Sequence, residues 1–249
     1  MTPREADYVI VGTGTAGCVL ANRLSADASC SVIALEAGPS DVNPWIAVPA
    51  GVARLFVHPR LTWQYQTAPE PQLDGRTLYW PRGKVLGGTS SINGMTYVRG
   101  QAADYDTWGD IAGSDWSYDA VLPYFRRLET HPLGPSPWHG ADGPVRIGNV
   151  EYRHALSEAF HAAMTACGIP ANADYNGAVQ EGVSFNQVMM VAGRRVSAAS
   201  AYLAPVRTRA NLSVLTRTLA RRIVFEGSRA VGVEIERRGR RESCARGAR

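Results

Sequence analysis

The sequence predicts an α/β fold, and three features of its first 36 residues lead to that prediction. An apolar run from Tyr8 to Val11 has the length and composition of a strand and is followed at once by a glycine-rich turn. Apolar residues then recur at helical spacing, and a second apolar run, from Val32 to Leu35, ends on Glu36. Strand, glycine turn, helix and strand form one βαβ unit, which is the building block of a Rossmann-like, dinucleotide-binding sheet.

The glycines of the turn have separate physical roles. Gly12 allows a sharp turn, Gly14 lets a pyrophosphate approach the backbone, and Gly17 lets the helix pack closely on the strand. The unpaired N–H groups and the dipole at the helix N-terminus, equivalent to ~0.5 of a positive charge, favour a phosphate there. A glycine turn that only packs a helix on a strand is the competing interpretation, and the acid 19 residues beyond Gly17 argues against it.

Glu36 indicates a nucleotide without a 2′-phosphate on its adenosine ribose. A carboxylate at the end of the second strand can accept hydrogen bonds from both hydroxyls of an adenosine ribose, and it would repel a 2′-phosphate. NADP is therefore disfavoured. The βαβ unit alone leaves open whether the cofactor is NAD or FAD.

Composition narrows the class of protein. The 249 residues are enough for one large or two smaller domains. The net charge is +4, of which residues 237–249 contribute +5, so the remainder carries −1 and no nucleic-acid surface is predicted. The basic segment 237–249 is expected to be a disordered tail.

The cysteines and the apolar runs exclude further classes. Cys18, Cys30, Cys167 and Cys244 lack the spacing of a zinc site or a disulfide framework, so no metal is expected. No apolar run approaches the ~20 residues that span a bilayer, and no charged-then-apolar leader precedes the first strand. A cytoplasmic protein is expected.

A second informative stretch is PRGKVLGGTSSINGMTYVRG, residues 81–100. Its glycines and hydroxyl side chains make a loop that can wrap an anion or the polar edge of a ring system with main-chain donors. Lys84 is the only lysine of the chain, and a cofactor contact and an ordinary surface position are equally open for it. Among the aromatic residues of segment 40–80, which are expected mainly in the core, Trp63 is retained as a possible cofactor neighbour.

The rest of the chain predicts alternating helices, strands and loops. Ser117 and Asp119 are potential N-caps of a helix in which Pro123 is expected to lie in the early turns. The predicted segments are an irregular stretch with short helices at 40–80, helices at 101–131, a loop at 132–143, a strand at 144–147, a helix at 154–167 ending at Gly168, a strand at 182–192, a helix at 195–209, and strands at 212–216, 222–225 and 230–235, the last two joined by a turn at 226–229.

Several motifs together identify a family resemblance. The pieces are VIVGTGTAGCVLANRLS with LEAG, RGKVLGGTSSINGMTYVRG, DYDTWG, YFRRLE, WHGADGP, and GRRVSAASAYLAPVRTRANLSVLT with FEGSRAVGVE. In this order they resemble the N-terminal half of the glucose-methanol-choline (GMC) oxidoreductases, particularly the choline-dehydrogenase-like members. The segment from Gly87 to Gly100 is highly specific for that family, whereas the glycine fingerprint alone is not.

The resemblance implies FAD as the cofactor. Some relatives bind FAD covalently through a histidine where this chain has Asn93, and asparagine cannot form that link, so a non-covalent flavin is expected. In the family the FAD domain and the substrate domain are interleaved, which implies an FAD-binding domain at 1–143 with its flavin-contact loop at 81–100, part of a substrate-binding domain at 144–193, and a continued FAD-binding domain at 194–236. The implied cofactor residues are Gly12, Gly14, Thr15, Ala16, Gly17, Glu36, Ala37, Trp63, Arg82, Gly83, Val85, Gly88, Thr89, Asn93, Gly94, Met95, Thr96 and Ala220.

The implied reaction is oxidation of a small primary alcohol, in which a base removes the hydroxyl proton and hydride passes to the flavin. In the family that base is a histidine of a C-terminal segment, and none of the five histidines of this chain matches it. Their expected roles are surface or loop packing. We therefore name no catalytic residue and expect a chain that is inactive or nearly so alone, with a C-terminal half or an oligomer partner covering its sheet edges.

Two other classes of function compete with this interpretation. A short-chain NAD dehydrogenase needs a tyrosine four residues before a lysine, and Trp80 holds that place before Lys84, which argues against this class. A non-redox FAD-binding module, or a protein similar to the hydroxynitrile lyases that resemble this family, stays open.

Overall fold

The computed structural model of the chain describes residues 5–237 and 239–246. Six α-helices occur in this part of the chain: α1 (Thr15–Leu24), α2 (Pro44–Ala47), α3 (Val52–Phe56), α4 (Ala102–Ala112), α5 (Tyr118–Leu128) and α6 (Ala155–Ala166). The strands are β1 (Glu5–Ala6), β2 (Tyr8–Val11), β3 (Val32–Leu35), β4 (Tyr65–Gln66), β5 (Tyr79–Trp80), β6 (Glu129–Thr130), β7 (Val145–Arg146), β8 (Gly148–Asn149), β9 (Gln187–Val188), β10 (Met190–Val191), β11 (Arg194–Arg195), β12 (Leu212–Leu215), β13 (Thr218–Glu226), β14 (Arg229–Arg237) and β15 (Arg240–Arg246).

The chain forms two compact units. Unit 1 lies within Met1–Gly94 and Ser197–Arg249, and unit 2 is Met95–Val196. Residues 95–143 are thus grouped with 144–196 in unit 2, and β6 runs parallel to β7 within that unit. The division into an FAD-binding and a substrate-binding domain stays a prediction.

The centre of unit 1 is a three-stranded parallel sheet in the order β12-β3-β2. In β3 every residue is buried, which explains its uninterrupted apolar sequence, because a central parallel strand is covered on both faces. The predicted βαβ unit is confirmed by β2, α1 and β3. A Cβ atom on Gly17 would lie 1.9 Å from the carbonyl oxygen of Gly12, so the close packing of α1 requires glycine at this position.

A second sheet of unit 1 has the order β1-β15-β14-β13. Strands β13 and β14 form the predicted hairpin around Gly227, and β15 continues antiparallel to β14. The expectation of a disordered basic tail is therefore wrong for residues 240–246. Pairing of their backbone with β14 is a tertiary feature that their arginine-rich composition does not reveal. Residues 247–249 lie outside the described part of the chain.

Two apolar clusters hold the loops of unit 1. One joins the two sheets and contains Ala6, Ile33, Leu35, Leu215, Val233 and Ile235. The other contains Ile46, Leu55, Leu61, Val85 and Ile92, and its last two members flank the Gly87-Gly88 pair in sequence. The glycine loop is thus anchored on both sides by buried side chains.

Helices α4, α5 and α6 of unit 2 confirm the predicted helical segments at 101–131 and 154–167. Pro123 is the sixth of the eleven residues of α5, not part of its early turns, and Ser117 stands at the N-cap position while its hydroxyl donates to the carbonyl of Ser114. The strand predicted at 182–192 divides into β9 and β10. The helix predicted at 195–209 is limited to a π-helical turn, Ala199–Leu203, and a 3₁₀ turn, Ala204–Val206. In the described part of the chain no helix has the length and apolarity required to cross a bilayer.

Candidate cofactor site

The two glycine-rich stretches that the sequence singles out meet in unit 1. The amide of Gly87 donates to the carbonyl of Thr13 at 2.8 Å. A Cβ atom built on Gly88 would lie 2.7 Å from Cα of Gly14, and Gly88 has φ +55°. The loops can come this close because Gly88 carries no side chain, whereas a Cβ atom on Gly14 would lie at an ordinary contact distance of 4.0 Å from Cα of Gly88.

The N-terminus of α1 opens at this junction. Gly14 is the N-cap and supplies no side-chain hydrogen bond to the first turn, and Thr15 and Ala16, the first two helical residues, are exposed. The first amides of a helix have no partner within the helix. This end of α1 therefore presents backbone donors and the positive end of a helix dipole, which is the arrangement that binds a pyrophosphate.

Glu36 lies beside the turn and is 5% exposed. Its Oε2 accepts hydrogen bonds from the amide of Thr13 at 3.1 Å and from the hydroxyl of Thr13 at 2.8 Å, and its Oε1 accepts from the amide of Gly38 at 2.9 Å. A carboxylate has about four acceptor positions. Three are used within the chain, so the carboxylate is held in place and about one position is left for a ligand hydroxyl.

A cavity of about 200 Å³ lies between these elements. Eight of the residues predicted to bind the cofactor line it. The lining consists of Val11, Gly12, Gly14, Leu35, Glu36, Ala37, Trp63, Gly83, Gly88, Thr218, Leu219 and Ala220. A volume below the ~300–1,000 Å³ of complete ligand pockets matches one end of a dinucleotide, not the whole molecule.

The remaining predicted residues of segment 81–89 contribute in different ways. Val85 is fully buried, so only its backbone is available to a ligand. The hydroxyl of Thr89 accepts from the amide of Gly83 at 3.1 Å and shapes the loop. Arg82 is exposed, with its guanidinium 4.9 Å from the ring centroid of Trp80. Lys84 places Nζ 4.5 Å from the ring centroid of Trp63, which joins the only lysine to a residue that lines the cavity.

The predicted flavin-contact residues at 93–96 fall in both compact units. Asn93 and Gly94 end the first segment of unit 1, and the Asn93 amide donates to the carbonyl of Thr89 at 2.9 Å. Met95 and Thr96 begin unit 2, where the Met95 carbonyl accepts from the amide of Met189 at 2.8 Å. Met95 has φ +63°, an uncommon backbone conformation for a residue with a side chain.

Cys18 on α1 is fully buried beneath the glycine turn, and its thiol donates to the carbonyl of Thr13 at 3.2 Å. Burial raises the pKa of this thiol to about 12. Cys18 is therefore a packing residue that stays protonated and unreactive in the native state.

Sequence reasoning missed a buried polar cluster in unit 2. His131 and His139 were expected at surfaces or in loops, yet they are 3% and 1% exposed. His139 contacts Glu129 and Asp174, and His131 stacks on His139. Glu129 ends the motif YFRRLE, and His139 lies in the motif WHGADGP. The acid at the end of the first motif and the histidine in the second were the available signal, because charged residues are rarely buried unless they are paired.

This cluster does not have the geometry of a metal site. Ligand atoms of His131, His139 and Asp174 lie within 4.8 Å of one another. The two imidazole rings are stacked with centroids 3.6 Å apart and planes inclined by 5°. Their lone pairs lie in nearly parallel planes and do not converge on one ion about 2.0–2.1 Å from each nitrogen.

The parallel sheet, the glycine turn and the open helix N-terminus together define a dinucleotide-binding α/β protein. A family model described as GMC oxidoreductase matches residues 6–248, so the chain belongs to the GMC oxidoreductase family. The resemblance inferred from the motifs is confirmed.

Relatives and solved structures agree with this assignment. An oxygen-dependent choline dehydrogenase of Rhizobium etli is 48% identical over 238 residues, which are 96% of this chain and 43% of that protein. Pyridoxine 4-oxidase from Mesorbium loti superposes with a TM-score of 0.93 at 36% identity, covering 97% of this chain and 48% of the oxidase. An FAD-dependent oxidoreductase from Chaetomium thermophilum has a TM-score of 0.89 at 29% identity, covering 98% of this chain and 44% of that one.

These comparisons confirm the predicted FAD-binding α/β fold. The chain spans less than half the length of the relatives it matches.

Proposed function

We propose that this chain binds FAD non-covalently and forms the N-terminal, cofactor-binding part of a flavoenzyme that oxidises a small primary alcohol. The observation that carries the proposal is the junction of Gly14 and Gly88 in front of the open N-terminus of α1. Bound FAD would supply the hydride acceptor for such an oxidation.

The residues of unit 1 fit the adenosine and pyrophosphate end of FAD. The Gly12–Gly14 turn and the first amides of α1 would hold the pyrophosphate, and Glu36 would accept a hydrogen bond from the ribose. Thr218 to Ala220 also line the cavity and would lie along the adenine. Arg82, Gly83, Val85, Thr89 and the residues at 93–96 remain the predicted contacts toward the flavin.

None of the five histidines of the chain matches the position of the family's catalytic base, and the cavity in the described part of unit 1 offers no base either. Among the residues that line the cavity, Glu36 is the only titratable side chain, and it is occupied by Thr13 and Gly38. We therefore expect FAD binding without alcohol oxidation by the chain alone, and the alcohol substrate, the partner that completes the site and a cytoplasmic location stay predictions.

FAD titration is the direct test. Adding the chain to FAD should quench flavin fluorescence and give a protein that keeps its yellow colour through gel filtration, and acid precipitation should release the flavin if the link is non-covalent. A chain that stays colourless after refolding with FAD would contradict the proposal.

Activity separates the enzyme from a non-redox FAD-binding module. The FAD-loaded chain should show little or no alcohol-dependent dye reduction, and a fusion with the C-terminal half of a choline-dehydrogenase-type relative should bleach its flavin with an alcohol. A fusion that holds FAD but is not bleached by any primary alcohol would support the non-redox module.

A further inference from the structure

A set of four charged side chains lies within unit 2, and nothing in the proposed function uses it. Arg99 precedes α4, and Glu129 is the first residue of β6. His139 lies in the loop between β6 and β7, and Asp174 lies in the segment between α6 and β9. We call these four residues the charged clasp. The side chains of Arg99, Glu129 and His139 are 0–3% exposed, and that of Asp174 is 25% exposed.

The distances connect the clasp into one chain of contacts. Nη2 of Arg99 and Nδ1 of His139 each lie 2.8 Å from Oε1 of Glu129. Nε2 of His139 lies 2.9 Å from one carboxylate oxygen of Asp174 and 3.0 Å from the other. Both ring nitrogens of His139 thus face carboxylate oxygens.

The ionisation of Glu129 determines whether Nδ1 of His139 donates or accepts a hydrogen bond. Its carboxylate also accepts hydrogen bonds from the hydroxyl of Tyr97 and, at 3.1 Å, from the amide of Gly140. Although burial alone would raise the pKa of Glu129, the hydrogen bonds and the charge of Arg99 lower it below its ordinary value. An ionised carboxylate only accepts, so Nδ1 of His139 must donate.

Asp174 fixes the role of Nε2 in the same way. The side chain of Asp174 is partly exposed to solvent, and both of its carboxylate oxygens lie within hydrogen-bond distance of Nε2 of His139. An ionised aspartate can only accept hydrogen bonds. Nε2 of His139 must therefore donate as well. An imidazole that donates from both nitrogens carries two protons and a positive charge.

The imidazole ring of His131 stacks on one face of the His139 ring. Its Nε2 lies 3.0 Å from Oε1 of Gln187, and its Nδ1 accepts from the amide of Leu133 at 3.4 Å, which is the pattern of a neutral ring. Burial lowers the pKa of His131, and the charge of His139 acts in the same direction. A neutral ring stacked on a charged ring avoids the repulsion of two cations at 3.6 Å.

We propose that His139 is an imidazolium in the native chain, because both of its ring nitrogens donate to carboxylates, and that the charged clasp holds β6, the loop of His139 and the segment of Asp174 together. Two cations and two anions make the closed clasp neutral. Loss of the proton leaves a carboxylate without its donor and a buried negative charge without compensation.

Nitrogen NMR of the complete chain tests the proton count. With ¹⁵N-labelled histidine at pH 7.5, both nitrogens of His139 should resonate in the protonated range, and His131 should show one protonated and one unprotonated nitrogen. His139→Gln identifies the signals, and His139→Asn does so if that variant fails to fold. An unprotonated His139 nitrogen at pH 7.5 would overturn the proposal.

Hydrogen exchange tests the clasp itself, with Asp110→Asn as the matched control because Asp110 is an exposed acid on α4 in the same unit. Asp174→Asn should speed exchange of the amides at 129–131 and 139–140 at least roughly tenfold at pH 7.5, since it removes one partner of a buried charge. Asp110→Asn should exchange like the unchanged chain. Equal exchange in the two variants would refute the clasp.

Discussion

At the scale of single residues, the cofactor site depends on side chains that are absent. Gly88 allows two loops to touch, because a Cβ atom there would lie 2.7 Å from Cα of Gly14, and the cavity beside them is lined by small residues and a few larger side chains. Glu36 is the exception, because it is a buried charge held by three donors of its own chain. Adding one carbon atom at Gly88, or removing the carboxylate of Glu36, should therefore weaken cofactor binding more than changing a charged residue on the surface.

Gly88→Ala should weaken FAD binding by at least roughly tenfold, because a Cβ atom would meet Gly14 Cα at 2.7 Å and the left-handed backbone adds a strain of about 1–2 kcal/mol. Gly75→Ala is the control, since Gly75 has φ +70° but no atom within 4 Å of its Cβ position. FAD affinity measured by fluorescence quenching should be unchanged in the control. Equal losses in both variants would show that strain, not contact between the loops, governs the effect.

Cys18 should react with a thiol reagent at pH 8 at least ~100-fold more slowly than the exposed Cys167, since the thiolate is the reactive form and burial raises the pKa of Cys18 to about 12. The comparison uses two variants, one that keeps Cys18 and one that keeps Cys167 as its single cysteine. Urea should abolish the difference. Fast labelling of native Cys18 would contradict its buried position.

The same thiol gives a pH dependence of stability. The unfolded thiol ionises near pH ~8.5, while burial raises the pKa of Cys18 in the folded chain to about 12. Above pH ~9 the unfolded state thus binds fewer protons, and the free energy of unfolding should decrease with rising pH. Urea titrations at pH 8 and pH 10 should show a smaller decrease in Cys18→Ala.

At the scale of elements, α6 shows how local sequence alone can end a helix. Gly168 has φ +89°, its amide donates to the carbonyl of Thr165, and the amide of Ile169 donates to the carbonyl of Met164. These two hydrogen bonds form a Schellman motif, which needs a left-handed residue after the C-cap. At the other end, Nδ1 of His154 accepts from the amide of Leu156 at 3.1 Å.

Gly168→Ala should lower the free energy of unfolding of unit 2 by about 1–2 kcal/mol, the penalty for placing a side chain in the left-handed region. Gly168→Asn should lose less, because asparagine tolerates this conformation. Urea denaturation followed by circular dichroism measures both. An alanine variant as stable as the unchanged chain would mean that the motif does not limit α6.

The neighbouring helices α4 and α5 show what local sequence cannot decide. None of the residues of α4, α5 or α6 is buried, and Trp108, Ile111, Tyr124, Leu156 and Phe160 are more than half exposed. Exposed apolar faces of this extent are typical of surfaces that contact other protein. A C-terminal half or an oligomer partner that covers such surfaces stays a prediction.

At the scale of the whole molecule, unit 1 contains the proposed adenosine end of the site and should gain stability from FAD. A ligand at 100 times its dissociation constant adds ~2.7 kcal/mol to a protein that binds it only when folded. For a chain of this length this corresponds to a rise in Tm of roughly 5–10 °C. Thermal scans with and without FAD measure the shift, and Gly88→Ala should reduce it. An unchanged Tm at saturating FAD would contradict the proposed site.

The predictable parts of the molecule are those with a local signal. The βαβ unit, the hairpin at Gly227 and the end of α6 at Gly168 follow from apolar periodicity and from residues that adopt special backbone angles. The strand at 240–246 and the packing of residues 95–143 within unit 2 depend on partners far away in sequence, which composition does not reveal. The buried position of His139 also depends on distant partners, since Asp174 lies 35 residues away.

The sequence by itself determined the nucleotide-binding turn, the acid beside it and the family, because each rests on residue types at short, fixed spacings. Only the tertiary structure decided that Gly88 touches Gly14 and that Glu36 accepts three hydrogen bonds from its own chain. It also decided that His139 lies between two carboxylates. The physical reason is that spacing fixes local geometry, whereas burial and charge pairing depend on which distant segments the fold brings into contact.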